Sequence, residues 1–510
     1  MSTDAIAVSE IHEGLTSPTI VNADHYSADL APTTSQQRTW VAKDFIVLWI
    51  SLAACIPTYQ LASSMIQQGM SSWQALFTIL IANLIVLVPL LLNAHAGTKY
   101  GISFPVYCRA AFGILGANIP ACLRALVGCG WFGIQAWIGG WAIYKIMTVF
   151  IPSWESQPAI AMLGINPPQL LCLLLFWFIN MAVISLGINS IRYILNIKAP
   201  LLIVLGIALL LWAVYAAHGF GPLLSRPSQF VDGGSKAGQF WSFFFPALTA
   251  NIGFWATLSL NIPDFSRYSK TQRDQALGQA IGLPLGMVLF SFIGVVVTSA
   301  TVVIYGSSLW DPVIVLSKFE NPFILVLSLV AVCIATLATN IAANVVSPAN
   351  DFVHLLPRLV SFRTGGWLTG ILGLLIQPWN LISEPEGYFF QWLIAYSALL
   401  GAAGGVLITD YYCVRRTQLN LLDLYRTNGQ YWYINGFNPW AIVAIVAGIL
   451  PCIPGFIEVI YRSTIPPSFW TEIYHYSWFV SFGIASVVYL FTMTLFDRTI
   501  FRQSSDESSV

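Results

Sequence analysis

Trp131 and Gln135 stand four residues apart in the run Trp131-Phe132-Gly133-Ile134-Gln135. At that spacing an aromatic ring and an amide share one helix face. Asn340 and Asn344 repeat the spacing on a polar stripe that also holds Thr336 and Thr339. Trp255 is a further ring, following directly on Thr249-Ala250-Asn251-Ile252-Gly253-Phe254. This set suits recognition of a flat, neutral ligand rich in amide edges. Indole faces stack on a planar ring, and Asn and Gln each offer a donor and an acceptor, matching a ring N–H beside a C=O. Taken singly, Gln135, Asn340 and Asn344 read more simply as hydrogen bonds between helices. Two Trp rings, together with two broken helices, move the set towards a site.

The elements that must position these residues are hydrophobic spans, and two of them are interrupted. The first runs 46–66 and contains Ala54-Cys55-Ile56-Pro57-Thr58. The second runs 243–260 and contains the stretch from Thr249 to Phe254. Non-helical backbone is tolerated in a membrane only where it is buried in protein or lines a wet cavity. Matched interruptions in two halves of a chain point to a transporter site near the bilayer midplane.

Composition agrees. The chain is 57% hydrophobic and 9% charged, with mean hydropathy +0.72, far below the roughly 25% charge of a soluble domain. At about 20 apolar residues per span, about twelve spans are expected, near 44–66, 73–93, 119–148, 168–188, 199–217, 240–261, 278–305, 323–349, 365–380, 388–409, 438–461 and 476–496. Spans 1–5 (about 44–217) and 6–10 (about 240–409) read as two halves of an inverted repeat, the odd count of five turning the second half over. Spans 11 and 12 (about 438–497) are additions. The fold class is an all-α membrane protein, with a polar segment 1–43 before the spans and a tail 498–510 after them. Most of the 22 Lys and Arg fall in loops on the side of the N-terminus. By the positive-inside bias, both termini are expected to be cytoplasmic in a plasma (inner) membrane protein. No cleavable signal peptide is read at the N-terminus.

Other features take simpler readings. Pro451 and Pro454 read as kinks, and Gly366-x-x-x-Gly370 and Gly401-x-x-x-Gly405 as close helix packing. The eight cysteines have no metal spacing, and Cys55 stands out because it sits at a break. Arg124, about two turns before Trp131, reads as a snorkelling side chain. Spans 1, 3, 6 and 8 carry no mid-depth carboxylate, while Asp264 and Asp410 lie at span ends. That argues against an ionic substrate and mildly against a proton relay. A membrane enzyme would need HExxH, GxSxG or paired mid-span carboxylates, none of which is present. A channel would need a continuous polar pore rather than one polar cluster. Expected partners are a small-molecule substrate and the lipid bilayer. Zero net charge says nothing about partners; no nucleic acid, obligate protein partner or organic cofactor is expected.

The chain resembles the nucleobase:cation symporter-1 family. The resemblance rests on Asn22-Ala23-Asp24, Ala31-Pro32, Gln37-Arg38-Thr39-Trp40, the loop from Gly97 to Val106, and Gly130-Trp131-Phe132-Gly133-Ile134-Gln135. Asn340-x-x-Ala343-Asn344-x-x-Ser347-Pro348 and Leu421-Leu422-x-Leu424-Tyr425-Arg426 extend it to about residues 22–497. It implies a LeuT-type fold of twelve helices, a 5+5 inverted repeat with broken helices 1 and 6. It implies a secondary active transporter for hydantoin, allantoin, uracil, cytosine or thiamine-type compounds. By position, Trp131 and Trp255 would sandwich the ring, with Gln135 and Asn344 on its amide edges. Asn340, Cys55 and Phe254 join them. Cys55 stands where the hydantoin transporter has glutamine, and Phe254 where it has glycine. A sodium site would use carbonyls of Ser51, Ala54 and Ala335 and the Thr339 hydroxyl. Ala338 stands where a second hydroxyl is expected, which leaves Na+ and H+ both open as the coupling ion. Gln135 and the Ile56-Pro57-Thr58-Tyr59 break resemble the allantoin and uracil branch, giving allantoin or a hydantoin first and uracil second. A proton-coupled cytosine or purine permease is the alternative.

Overall fold

The computed structural model describes residues 30–186, 188–355, 359–461 and 468–496, without the side chains of 188–200, 389 and 496. The acidic positions up to Asp24, the motif Asn22-Ala23-Asp24, Arg358, Arg462 and the tail from 497 lie outside them, as do the side chains of Arg192 and Lys198. Among the described residues there are helices and no strands.

Among the described residues, eight helices are long and apolar enough to cross a membrane, and the pair Ala42–Ala53 and Ile56–Gln67, bent by 60°, makes a ninth span. Ile188–Ala216, Phe240–Phe254 with Ala256–Asn261, and Phe362–Leu375 supply spans 5, 6 and 9. Each expected span thus has a helix. Span 9 begins three residues earlier than expected and stops before Gln377, whose φ of 53° precedes the helix-starting Pro378.

Span 1 breaks where the sequence placed it. Ala54 (ψ 79°) and Cys55 (φ −153°, ψ 158°) leave the helix, and Pro57 opens the second half. Proline has no N–H to give the preceding turn and is favoured at a helix start. Span 6 corrects the expectation. Its helix runs unbroken through Thr249–Phe254, and the interruption falls on Trp255 (φ −103°, ψ 5°). That stretch has no proline to free a carbonyl, and its glycine serves another purpose. A Cβ on Gly253 would lie 2.6 Å from the Leu393 carbonyl oxygen, so Gly253 admits span 10 against span 6.

The remaining punctuation behaves as read. Leu450–Cys452 forms a 3-10 turn between two helical pieces of span 11. Cβ atoms on Gly366 and Gly370 would meet Ile184 and Met181 at 2.6 and 2.5 Å, and on Gly401 and Gly405 would meet Ser481 and Phe482 at 2.6 and 2.4 Å. These glycines let span 4 pack closely on span 9, and span 12 on span 10.

One face of the bundle gathers the N-terminal segment and three loops. Thr33 donates its amide to Gly101 O (2.9 Å) and its hydroxyl to Arg267 O (2.6 Å). Trp40 N donates to Tyr268 O (2.9 Å), and Tyr425 OH to Leu30 O (2.9 Å). Asn438, at the start of span 11, reaches Tyr489 OH (3.4 Å) near the end of span 12. Segment 30–41, the loops after spans 2, 6 and 10, and the end of span 12 therefore share one face.

Candidate functional site

Spans 1, 3, 6, 8 and 10 meet around Trp131. The ring is 7% exposed and lies edge-to-face against Phe254 (5.3 Å), Trp392 (5.9 Å), Tyr388 (6.3 Å) and Tyr396 (6.4 Å). Trp392 comes this close because Gly130 has no Cβ, which would lie 2.0 Å from the indole. Trp255, at the span 6 interruption, packs edge-to-face on Trp49 of span 1 (5.2 Å) and on Phe254 (5.0 Å). Phe254 therefore touches both of the Trp rings expected to hold a ligand. A ring seated between them must share or displace it.

The amides divide by geometry. Asn340 is fully buried; its Nδ2 donates to Phe132 O and to Asn180 Oδ1, both at 3.2 Å, and its Oδ1 accepts from Asn344 Nδ2 at 3.1 Å. It joins spans 3, 4 and 8 and stands behind Asn344. Gln135 is 3% exposed and its Oε1 has no protein partner. The Trp255 Nε1 and the Thr336 hydroxyl are likewise buried and unpaired. A buried polar group without a partner costs about 1–3 kcal/mol, so these are the groups with most to gain from a polar ligand.

Cys55 lies at the span 1 break, near Tyr388 of the cage. Its Sγ lies 3.2 Å from Thr58 Oγ1, and it lines a cavity of about 40 Å³ with Tyr59 and residues of spans 5, 7 and 8. None of Trp131, Gln135, Trp255 or Asn344 lines that cavity.

Of the residues nominated for a cation, Ala54, Ala335 and Thr339 lie near one another. Ala54, at the span 1 break, packs with Ala335 of span 8 and Leu202 of span 5. The Thr339 hydroxyl donates to the Ala335 carbonyl at 2.9 Å, back along the same helix. Ala338 is buried beside them and adds no side-chain oxygen.

Arg124 corrects its sequence reading. It does not snorkel: it is 3% exposed, and its Nη1 lies 2.5 Å from Asp351 Oδ2, itself 3% exposed. The partner could not be read from sequence, because 227 residues separate the two. Nearby, Asp264 accepts from Phe104 N at 2.8 Å, and burial holds its carboxyl above the usual carboxylate range. At the end of span 10, Asp410 pairs with Arg415 at 2.8 Å and accepts from Tyr489 OH at 2.7 Å.

The sequence reading also missed Tyr388, Trp392 and Tyr396. Their signal was present, since three aromatics at intervals of four share a helix face. Tyr388 OH further bonds Pro57 O (3.3 Å), tying span 10 to the span 1 break.

Comparison with known proteins adds an independent line. A family model described as permease for cytosine/purines, uracil, thiamine and allantoin matches residues 32–481. A purine-uracil permease of Arabidopsis thaliana is 46% identical over 483 residues, covering 94% of this chain and 79% of the relative. An allantoin permease of Bacillus subtilis is 39% identical over 467 residues, covering 91% of this chain and 92% of the relative. Two structures of the transporter Mhp1 align with TM-scores of 0.74 and 0.72 at 25% and 24% identity, covering 93% and 94% of this chain and 94% and 97% of theirs. One is an inward-facing conformation; the other is a closed conformation of a nucleobase-cation-symport-1 family transporter with bromovinylhydantoin bound.

Proposed function

The chain belongs to the nucleobase:cation symporter-1 family of permeases, and from that premise we propose that it imports a planar, neutral ring compound coupled to a cation. It is a membrane transporter, and its fold is the LeuT-type one expected from the sequence. Spans 1–5 and 6–10 are the repeats that alternate access to the site. The shared face of segment 30–41 and the end of span 12 is the cytoplasmic one, by the Lys and Arg bias.

The observation that carries the reading is the aromatic cage on Trp131 with the unpaired amide oxygen of Gln135 one turn away. The ring ligand stacks on Trp131 and Trp255, and Gln135 and Asn344 bond its amide edges. Asn340 orients Asn344. Allantoin or a hydantoin is the first choice, supported by the allantoin permease relative and the hydantoin-bound neighbour. Uracil is the second, favoured by Phe254, which narrows the space between the two Trp rings, and by the purine-uracil relative. The test is uptake of labelled allantoin, hydantoin, uracil and cytosine by cells lacking their own carriers, with and without sodium. Absence of saturable uptake for all four would overturn the proposal.

Gln135→Ala and Asn344→Ala are expected to raise the substrate Kd by roughly five- to 150-fold, because an unpaired ligand amide costs about 1–3 kcal/mol. Asn340→Ala should instead lower the unfolding temperature, since its bonds run between spans. Titration and thermal unfolding of the same preparations separate the two roles.

For the ion, sodium stands slightly ahead, held by carbonyls of Ser51, Ala54 and Ala335 and the Thr339 hydroxyl. Hard cations demand oxygen ligands. Thr339→Ala is therefore expected to abolish any sodium dependence of substrate affinity, and Ala338→Ser to strengthen it. Linkage requires substrate and ion to raise each other's affinity equally, so substrate titrations at several sodium concentrations decide. Wild-type and Ala338→Ser affinities that ignore sodium, with uptake abolished by a protonophore, would make protons the coupling ion.

A further inference from the structure

Against the span 1 break lies the cavity of about 40 Å³, apart from the rings and amides of the candidate site. Cys55 and Tyr59 of span 1 form one wall, and residues of spans 5, 7 and 8 form the others. Part of the space exists because Gly206 of span 5 has no side chain. A Cβ there would lie 2.9 Å from Ile293 Cδ1 of span 7, which also lines the cavity. Leu202 lines it too, and packs with Ala54 and Ala335. The cavity therefore stands one side chain behind two of the residues nominated for the cation.

The lining favours carbon over water. A buried water needs about two to four polar partners. Only Cys55 and Tyr59 bring a polar side-chain atom, and the Cys55 Sγ already lies 3.2 Å from Thr58 Oγ1. The backbone of Cys55 is satisfied as well: its amide donates to Ala53 O at 2.9 Å, and its carbonyl accepts from Tyr59 N at 3.4 Å. Apolar atoms in such a void restore the dispersion contacts that its walls lack. The cavity also borders the bilayer. Gly206, Phe290 and Ile293 are half-buried, while Val204, Ile207 and Leu289 beside them are 65%, 47% and 51% exposed. Depth adds a third argument. Cys55 falls near the middle of the broken span formed by Ala42–Ala53 and Ile56–Gln67, the level at which the chains of the two leaflets end within the hydrocarbon core.

We propose that this cavity is a lipid site: the end of one phospholipid acyl chain enters between spans 5 and 7 and seats against Cys55 and Tyr59. At roughly 10–15 Å³ for each water-sized group, the cavity of about 40 Å³ holds about three. The seated part is therefore the last few carbons, and the rest of the chain lies along the lipid face. Lipid tails are as apolar as leucine, so hydrophobicity alone does not favour this seat over the outer surface. Shape does, because four spans touch the chain end where an ordinary boundary lipid meets one face. Spans 1 and 5 belong to one proposed repeat and spans 7 and 8 to the other. The chain end thus sits at a joint that alternating access would move.

Photolabelling tests the site without any substrate. The full chain is placed in phosphatidylcholine nanodiscs in which a small share of the lipid carries a diazirine at the end of one acyl chain. After irradiation and digestion, adducts are mapped by mass spectrometry. They are expected on Cys55 or Tyr59, which at 8% and 7% exposure are shielded from lipid lying on the surface, at a level comparable with that on the exposed Leu289. Met65, fully buried on the same half of span 1, gives the background. Gly206→Leu fills the space by turning the tip of Ile293 aside, so it should lose the Cys55 and Tyr59 adducts and keep those on Leu289. Moving the diazirine to the headgroup end of the chain should have the same effect on the wild type, which needs no variant to fold. Adducts confined to Val204, Ile207 and Leu289 would overturn the proposal. So would labelling of Cys55 and Tyr59 no stronger than that of Met65, or labelling that survives either change. A failure of uptake for every ring compound would leave this measurement untouched.

Discussion

Arg124→Ala is expected to destabilise the folded protein by about 3–5 kcal/mol, the cost of stranding a buried charge when its partner is removed. The stranded group is Asp351, 3% exposed and 2.5 Å from the guanidinium. Asp264, which senses the same guanidinium, loses a compensating charge as well. The pair links span 3 to the helix Val346–Leu355 that continues span 8, so its loss should loosen the end of the bundle near the Asp264 loop. Thermal unfolding of the purified protein in one detergent measures the effect. The double variant Arg124→Met with Asp351→Leu should recover much of the loss, because replacing a buried pair with apolar groups of similar size is often neutral or better. Equal damage in the single and double variants would show that the stability comes from something other than the pairing.

That ion pair marks what sequence reasoning could not reach. The spans were legible because hydrocarbon admits only backbone whose hydrogen bonds are satisfied within the segment, which writes itself as long apolar runs. The span 1 break was legible because Pro57 removes a donor. The span 6 break was misplaced because glycine is ambiguous: Gly253 serves close packing against Leu393, and the chain leaves the helix two residues later, at Trp255. Trp131, Gln135 and Asn344 could be picked out by residue type and spacing. What they face could not. The pairing of Phe254 with both Trp rings, the screening of Asn340 by Asn180 and Phe132, and the placement of Cys55 on a separate cavity all depend on how distant spans pack together. The stripe Tyr388, Trp392 and Tyr396 was readable by the same spacing rule that picked out Gln135. Its signal is weak because aromatics at helical spacing are common in membrane spans.

The cage around Trp131 leads to the other large effect. Trp131→Ala should weaken substrate binding by about 2–4 kcal/mol, combining the apolar surface of the ring ligand that would no longer be covered with the preferred geometry of aromatic pairs. That is roughly 30- to 1000-fold in Kd. The effect should exceed that of either amide because the indole is both a stacking surface and the hub on which Phe254, Tyr388, Trp392 and Tyr396 rest. Without it those rings have room to move into the space a ligand would fill. Trp131→Phe restores a smaller stacking face and should recover part of the affinity. Trp137→Ala gives the needed contrast. Trp137 lies on span 3 too, but stacks on Trp141, so its loss should alter stability and leave Kd nearly unchanged. Substrate titration of the purified variants, together with their unfolding temperatures, distinguishes a lost binding surface from a weakened fold. Wild-type affinity in Trp131→Ala would remove the cage from the site altogether and return Gln135 to a role between helices.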